Sequence, residues 1–513
     1  MARLHLTLRL GAICVTVAGV AGAQPAEEPT DEPPAKATSE APPSTDAADE
    51  ANDVAGDAPG GQAKAAPPGA SAESRDRISY RVNVDAVAQL FRRSTFPTAG
   101  GALVEGDVAA PLYHFAMFRV DDIDAPWAED SIDAELSAWG NLVFADDGSP
   151  FGDAGRLEGV GRLDGDIQIA KVRQRFDFGH VALGRQVRAG GAARFVRYDG
   201  ATAGLRAPFG LGVDAYGGFT VLPRWAARPG YHLLGSAADT LLRHDLETVY
   251  PNPDRNEHWM VGGRAYYAYE NLVSAGLSFH EQRAQGGLFR RNAAVDTKVR
   301  PLDELSVTGQ VVLDVDATNV ADARAAVDVF PMKGLNLAAV YLHVTPALML
   351  SRQSVLSVFS TDKFNEWGLE GGYRPLRWLS LGASGYIERF ETGDVGGRGG
   401  GSLRFFHEGN TRVVTGLSYR RVVETENGYH SLRAMVKVEP PIPVELMVDG
   451  YGYFYDEVIQ GASGSEVVVV SAGVRPTDVV KLVLGGSIAS TPFAALDAQA
   501  LARVAVDWEG DIR

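Results

Sequence analysis

Residues 259–280 read WMVGGRAYYAYENLVSAGLSFH. Trp259, Val261, Ala265, Tyr267 and Tyr269 share one face of this stretch and oppose Met260, Arg264, Tyr266 and Glu270. After Glu270-Asn271 the alternation resumes, with Val273, Ala275, Leu277 and Phe279 against Ser274, Gly276, Ser278 and His280. A period of two belongs to a β-strand with one apolar and one polar face, so the stretch is two antiparallel strands joined by a tight turn. Each strand is about twice the usual 5–6 residues of a soluble strand, and matches the roughly 9–11 residues that a tilted strand needs to cross a bilayer.

The pattern extends in both directions. Ile132, Ala134, Leu136, Ala138 and Leu142 oppose Asp133, Glu135, Ser137, Trp139 and Asn141; Val444, Leu446, Val448 and Phe454 oppose Glu445, Asp449, Tyr451, Tyr453 and Tyr455. Proline turns of one style recur at Ala207-Pro208, Arg300-Pro301, Phe330-Pro331, Arg374-Pro375, Pro440-Pro441 and Arg475-Pro476. Proline suits these places because it fixes φ and lacks the N–H that a ladder needs. The long connections, Phe91 to Pro111, Ala145 to Gly159, Val221 to His258 and Pro346 to Phe364, all fall on the opposite side from these turns. Short turns at one end and long loops at the other are the plan of an outer-membrane barrel. A β-sandwich would have shorter strands, and a β-propeller would repeat at about 40 residues. The expected fold is all-β: a transmembrane antiparallel up-and-down β-barrel of about 22 strands, within 18–26, occupying residues 75–513.

Composition agrees. With 48 basic and 65 acidic residues, the formal charge is −17, which argues against a nucleic-acid protein. Mean hydropathy is −0.08, and beyond the N-terminus no apolar run is long enough for a membrane helix. A barrel hides its membrane face from average hydropathy because apolar and polar residues alternate. Arg3 and Arg9, the apolar run Leu10 to Val20 and Ala21-Gly22-Ala23 have the layout of a secretory signal peptide, residues 1–23. Cys14, the single cysteine, lies inside it, so the expected mature chain has neither disulfides nor thiolate metal sites. Residues 24–74 hold eleven acids against Lys36 and Lys64, nine prolines and no aromatic residue. Such a segment cannot offset its ordering entropy and is expected to be a disordered periplasmic tether. It leaves no folded plug for the barrel.

Between Lys171 and Arg206 the bases Lys171, Arg173, Arg175, Arg185, Arg188, Arg194, Arg197 and Arg206 face only Asp177 and Asp199. A charge at the lipid midplane costs about 2–4 kcal/mol, so these side chains are expected at the lumen or the interfaces. Two readings are open: an arginine-lined wall for anions, or pairing with Asp133, Glu135 and other inner-wall acids that stiffens the barrel. Val221 to His258 is too apolar for a freely solvated loop. It is read as a constriction loop carrying Arg224, Trp225, Arg228, Tyr231 and Arg243, the alternative being packing on the rim. Ala347 to Val358 offers a second segment of this kind.

Gly184-Arg185-Gln186, followed by Asp199-Gly200, resembles the strand motifs of alginate-export-type outer-membrane porins. The likeness covers about thirty residues and implies a monomeric, arginine-lined channel for anionic oligosaccharides. This chain departs from that family in its larger strand count, its acidic tether and its ending Trp508-Glu509-Gly510-Asp511-Ile512-Arg513, where Trp508 is the last aromatic residue.

Catalytic patterns are missing: there is no G-x-S-x-G, and His280-Glu281 and His407-Glu408 lack the second histidine of a zinc-protease helix. Gly396 to Gly401 reads as a flexible extracellular turn, and Asp314 with Asp316 as a surface pair that could bind calcium but is more often simply solvated. No enzyme activity, metal or cofactor is expected. The leading expectation is a passive channel for small polar or anionic solutes in the cell outer membrane; the alternative is a structural barrel that sheathes a partner such as an electron-transfer protein. Expected partners are outer-membrane lipid, the barrel-insertion machinery and small-molecule solutes, with no nucleic acid, and a monomer is favoured.

Overall fold

In a computed structural model, residues 78–95, 104–123, 131–143, 163–221, 258–284, 287–348, 363–424, 427–492 and 494–512 are described. The expected signal peptide, tether and constriction loop, with Arg224, Trp225, Arg228, Tyr231 and Arg243, lie outside them.

The described residues form one antiparallel sheet of 23 strands in chain order. The first eight are β1 (Ile78–Thr95), β2 (Val104–Ala109), β3 (Pro111–Ile123), β4 (Ile132–Val143), β5 (Leu163–Phe176), β6 (Gly179–Gly190), β7 (Arg194–Arg206) and β8 (Leu211–Thr220). Then come β9 (Trp259–Tyr269), β10 (Val273–Ala284), β11 (Gly287–Leu302), β12 (Leu305–Asp314), β13 (Asn319–Met332), β14 (Leu335–Val344), β15 (Phe364–Leu376) and β16 (Leu379–Phe390). The last are β17 (Val395–Glu408), β18 (Arg412–Val423), β19 (Tyr429–Glu439), β20 (Val444–Ile459), β21 (Ala462–Val474), β22 (Val480–Thr491) and β23 (Ala494–Ile512). Only Ala110 separates β2 from β3, and both pair with β1, so they act as one interrupted stave and the wall has 22 staves. β1 also pairs with β23, from Ile78↔Ile512 to Phe91↔Gln499, which closes the barrel. This pairing leaves no free edge at the seam between the first and last strands, the condition for a sheet to stand in hydrocarbon.

The ladder places Ile78 and Ile512 side by side at one end, with the proline turns. Connections there are short, as between Phe176 and Gly179 or Met332 and Leu335, whereas the stretches after Val143, Thr220 and Val344 open at the other end. We call these the turn end and the loop end. One expectation changes: Gly396 to Gly401 is not a turn but lies within β17, paired on both sides with β16 and β18. Ser384 and Arg420 stand opposite Gly400, where a Cβ would come 2.3 Å from the Tyr419 carbonyl oxygen, so β18 lies too close for a side chain.

Burial is inverted relative to a soluble protein. Leu277, Leu369, Ile387, Leu484 and Ile488 are each at least 60% exposed, while Asp133, Glu366 and Asp449 are at most 5% exposed. The exposed apolar residues alternate along each strand with the buried polar ones, so the outer face is a continuous apolar surface far larger than a water-exposed patch can be. Lipid is the medium that fits it. Near the turn end this face carries Trp508 against Tyr80, ring centroids 5.6 Å apart, and Trp378 stacked on Phe405 at 6.1 Å. Aromatic rings at that level match the membrane–water interface. The inner face is held by cross-strand ion pairs, including Arg433–Asp449 at 2.7 Å, Arg398–Glu366 at 2.8 Å and Arg503–Asp85.

Candidate functional site

β6 and β7 pair rung for rung from Gly179↔Leu205 to Gly190↔Arg194, yet their ties to the rest of the wall stop halfway. The β5–β6 ladder ends at Ala170↔Arg185, although β5 stays paired with β4 as far as Leu163↔Leu142. The β7–β8 ladder ends at Tyr198↔Thr220. Beyond these rungs the hairpin leaves the wall.

Its tip lands on the inner face of β10 to β13. The N–H of Ala192 donates to Ser278 Oγ at 2.9 Å, Asn292 Nδ2 donates to the Ala192 carbonyl at 3.1 Å, and Arg194 pairs with Asp322 at 2.7 Å. Ser278, Ala294, Val312 and Asp322 form one row in register across these four strands. Ala192 is fully buried with Ala294, Val312 and Ala321, and Leu348 packs on the same cluster. A hairpin rooted between β5 and β8 thus reaches along the inner wall to β13.

The sequence explains where the hairpin bends. Gly184, Gly200 and Gly218 face one another across β6, β7 and β8. A Cβ on Gly200 would stand 2.1 Å from the Gly217 carbonyl oxygen, and one on Gly184 would stand 2.2 Å from that of Ala170, at a φ of +115°. No side chain fits either place, so this row is where strands approach closely enough for the sheet to fold. The tip itself, Gly190-Gly191-Ala192-Ala193, is small enough to lie against the wall.

Its two faces differ. Toward β8 and β9, Val196, Tyr198 and Ala193 bury themselves with Tyr216 and Met260. The Tyr198 hydroxyl shares a 2.5 Å bond with Thr202, Thr202 donates to Gln186 Oε1 at 3.0 Å, and Gln186 Nε2 donates to the Gly200 carbonyl at 3.1 Å. Toward β5 stand the charges. Arg185 donates from Nε and Nη2 to Asp199 at 2.7 and 3.0 Å, and from Nη1 to Asp166 at 3.2 Å and to the Ile167 carbonyl at 2.9 Å. Arg197 Nη2 donates to Asp166 at 2.5 Å, and its Nη1 is 3.4 Å from the same carbonyl. β5 carries a bulge here, where its register to β4 shifts between Ser137 and Ala138. The two guanidinium groups therefore supply hydrogen bonds to β5 where the backbone neighbour has departed.

The other bases of the run are placed as follows. Lys171 pairs with Glu135 at 2.7 Å, Arg173 with Asp133 at 2.7 Å, and Arg175 with Asp133 at 2.5 Å and Asp122 at 2.8 Å. Arg206 is exposed beside the turn that follows β7. Arg188 lies over the Tyr216 ring, 4.6 Å from its centroid. The motif residues Gly184, Arg185, Gln186, Asp199 and Gly200 come together as one cross-strand unit at the bend. Asp314 accepts from the N–H groups of Asp316 and Ala317 and shapes a turn, and Asp316 pairs with Arg291 at 3.0 Å. Among the described residues no group of acids, histidines and cysteines is arranged to hold a metal. Sequence reasoning missed the tip itself; the signal for it is the glycine row, visible only once the three strands are aligned.

No family model and no curated protein matches the sequence. Among solved structures, OccK9 (OpdG) of Pseudomonas aeruginosa has 10% identity over 84% of this chain and 98% of its own, with a TM-score of 0.38. OpdK of Pseudomonas aeruginosa with vanillate has 10% identity over 84% and 99%, TM-score 0.38. The OmpF complex with daunomycin from Salmonella typhi has 10% identity over 84% and 97%, TM-score 0.31. Similarities at this level say nothing about the solute or assembly of this chain.

Proposed function

We propose that this chain is an outer-membrane porin: a passive channel for small polar or anionic solutes whose passage is narrowed by the β6–β7 hairpin. The observation that carries the reading is the combination of a closed, lipid-faced barrel with a hairpin tip bonded to its inner wall through Ala192 and Arg194. A barrel of about 22 strands is too wide for its own wall side chains to fill, so what stands inside it sets what passes. A sheath for a protein partner needs a clear bore, and a hairpin laid along the inner wall favours the channel reading over that one. On the hairpin Arg194 is paired with Asp322 and Arg188 stands 3.8 Å from Asp214, and exposed Arg324, two residues beyond Asp322 on β13, adds positive charge beside the tip. Within a Debye length of about 8 Å such local charge outweighs the acidic total. The sequence likeness to alginate-export-type porins supports an anionic solute, without fixing its size.

The test is a planar-bilayer recording of the purified chain. Discrete conductance steps with reversal potentials that favour anions are expected. A closed barrel, or a very wide unselective conductance, would reject the channel reading in favour of a sheath.

A further inference from the structure

Between the hairpin tip and the wall lies a recess of about 280 Å³. Its lining includes Arg188 and the backbone of Gly190 to Ala193 from the hairpin, and Arg264, Ser278, Asp296 and Gln310 from β9, β10, β11 and β12. We propose that this recess is a binding subsite for a small net-neutral zwitterion, with its carboxylate held by Arg188 and Arg264 and its ammonium by Asp296 and Gln310. The inference goes beyond the channel reading, since binding here does not require that solutes pass through.

Three observations carry it. First, donors remain available on both arginines. The Arg188 guanidinium meets Asp214 only at 3.8 Å and makes no hydrogen bond to another described residue, and Arg264 bonds Asp296 through Nη2, which leaves Nη1. Arg173 and Arg185 differ, with donors committed to carboxylates at 2.7–3.2 Å. Secondly, both guanidinium groups are oriented before any ligand arrives: Arg188 lies over Tyr216 at 4.6 Å and Arg264 over Tyr266 at 5.5 Å. Orientation in advance removes part of the ordering cost of binding. Thirdly, both signs of charge are present: Arg188 and Arg264 line the recess with Asp296, and Asp214, outside the lining, stands 3.8 Å from Arg188. A site that presents both signs complements a solute that carries both, whereas a simple anion leaves Asp296 facing it and a simple cation leaves the arginines uncompensated. The recess volume suits a compact solute of the size of a single amino acid.

Isothermal titration of the full chain in detergent with L-glutamine, N-acetyl-L-glutamine and L-glutaminamide tests this, because the three differ in charge far more than in shape. Saturable one-to-one binding of glutamine is expected, with the anionic and cationic derivatives each at least about tenfold weaker, the effect of one lost charge-assisted contact. R188Q and D296N should each weaken glutamine by a similar factor. Q310M, which alters no charge, should weaken it less, and R421Q at the loop-end rim should leave it unchanged. No saturable binding by a normally melting protein overturns the proposal, as does equal binding of the N-acetyl derivative, which would mark a plain anion site. Failure of these titrations leaves discrete, anion-selective conductance intact, whereas failure of the channel reading, as a closed barrel or a wide unselective conductance, leaves the titrations intact.

Discussion

The β6–β7 and β17–β18 hairpins are built alike and end differently. Each is paired along its whole length, from Gly179↔Leu205 to Gly190↔Arg194 in one and from Gly397↔Val423 to Glu408↔Arg412 in the other. β17 is the richer in glycine, yet it stays in the wall because β16 pairs with it from Leu379↔Phe405 to Arg389↔Val395 and β19 pairs with β18 from Arg412↔Glu439 to Val422↔Tyr429. The β6–β7 hairpin loses β5 at the bulge and β8 at Thr220, and its glycines line up across three strands. Register and the reach of the neighbours, not glycine content, decide whether a hairpin forms wall or turns inward.

The largest way to break this contrast is to remove the inward part. Replacing residues 188–196 by Asn-Gly places a two-residue turn on the Val187↔Arg197 rung and keeps Arg185 and Arg197 in place. Single-channel conductance should rise several-fold. Shortening the β20–β21 hairpin, which also closes at the loop end, on the Ile459↔Ala462 rung, should change conductance far less.

Next in size is the arginine bridge to β5. Arg197 and Asp166 are 7% and 12% exposed, so Arg197→Met leaves a nearly buried carboxylate with one partner fewer. A loss of about 3–5 kcal/mol in urea unfolding is expected. Gly200→Val, forcing a Cβ onto the Gly217 carbonyl, should cost about 1–3 kcal/mol and lower the temperature at which the barrel shifts on a semi-native gel. The smallest effect belongs to the regular hairpin: Arg421→Gln, which breaks the 2.5 Å pair with Asp456 at the loop end of β18 and β20, should cost under about 1 kcal/mol because that pair is partly exposed.

Much of the barrel was legible in the sequence because alternation and turn chemistry are local. The faces read from Trp259 to His280 are those of β9 and β10, and the proline turns all lie at one end. The inward hairpin was not legible, since residues 186–197 keep the same alternation as a wall strand, with Val187 and Phe195 against Gln186 and Arg188. Its fate is set by what β5 and β8 do, and those partners are distant in sequence. The basic run was likewise visible as charge, but whether a given arginine meets a carboxylate depends on register: Arg173 finds Asp133 forty residues away, and Arg197 finds Asp166 only because the bulge re-aims it.

The central claim is that the tip of the β6–β7 hairpin rests inside the barrel against β10 and sets the conductance. The most direct test is oxidation of the Ala192→Cys, Ser278→Cys double variant in a Cys14→Ser background, with Ala192→Cys, Leu163→Cys as the comparison, since a β5–β6 ladder continued in register past Ala170↔Arg185 would set 192 opposite 163. Rapid cross-linking of 192 to 278 is expected, detected as one joined peptide by mass spectrometry, with conductance unchanged by oxidation, and no cross-link to 163. Capture of 192 by 163, or no link to 278 in a channel whose conductance equals that of the shortened hairpin, would contradict it.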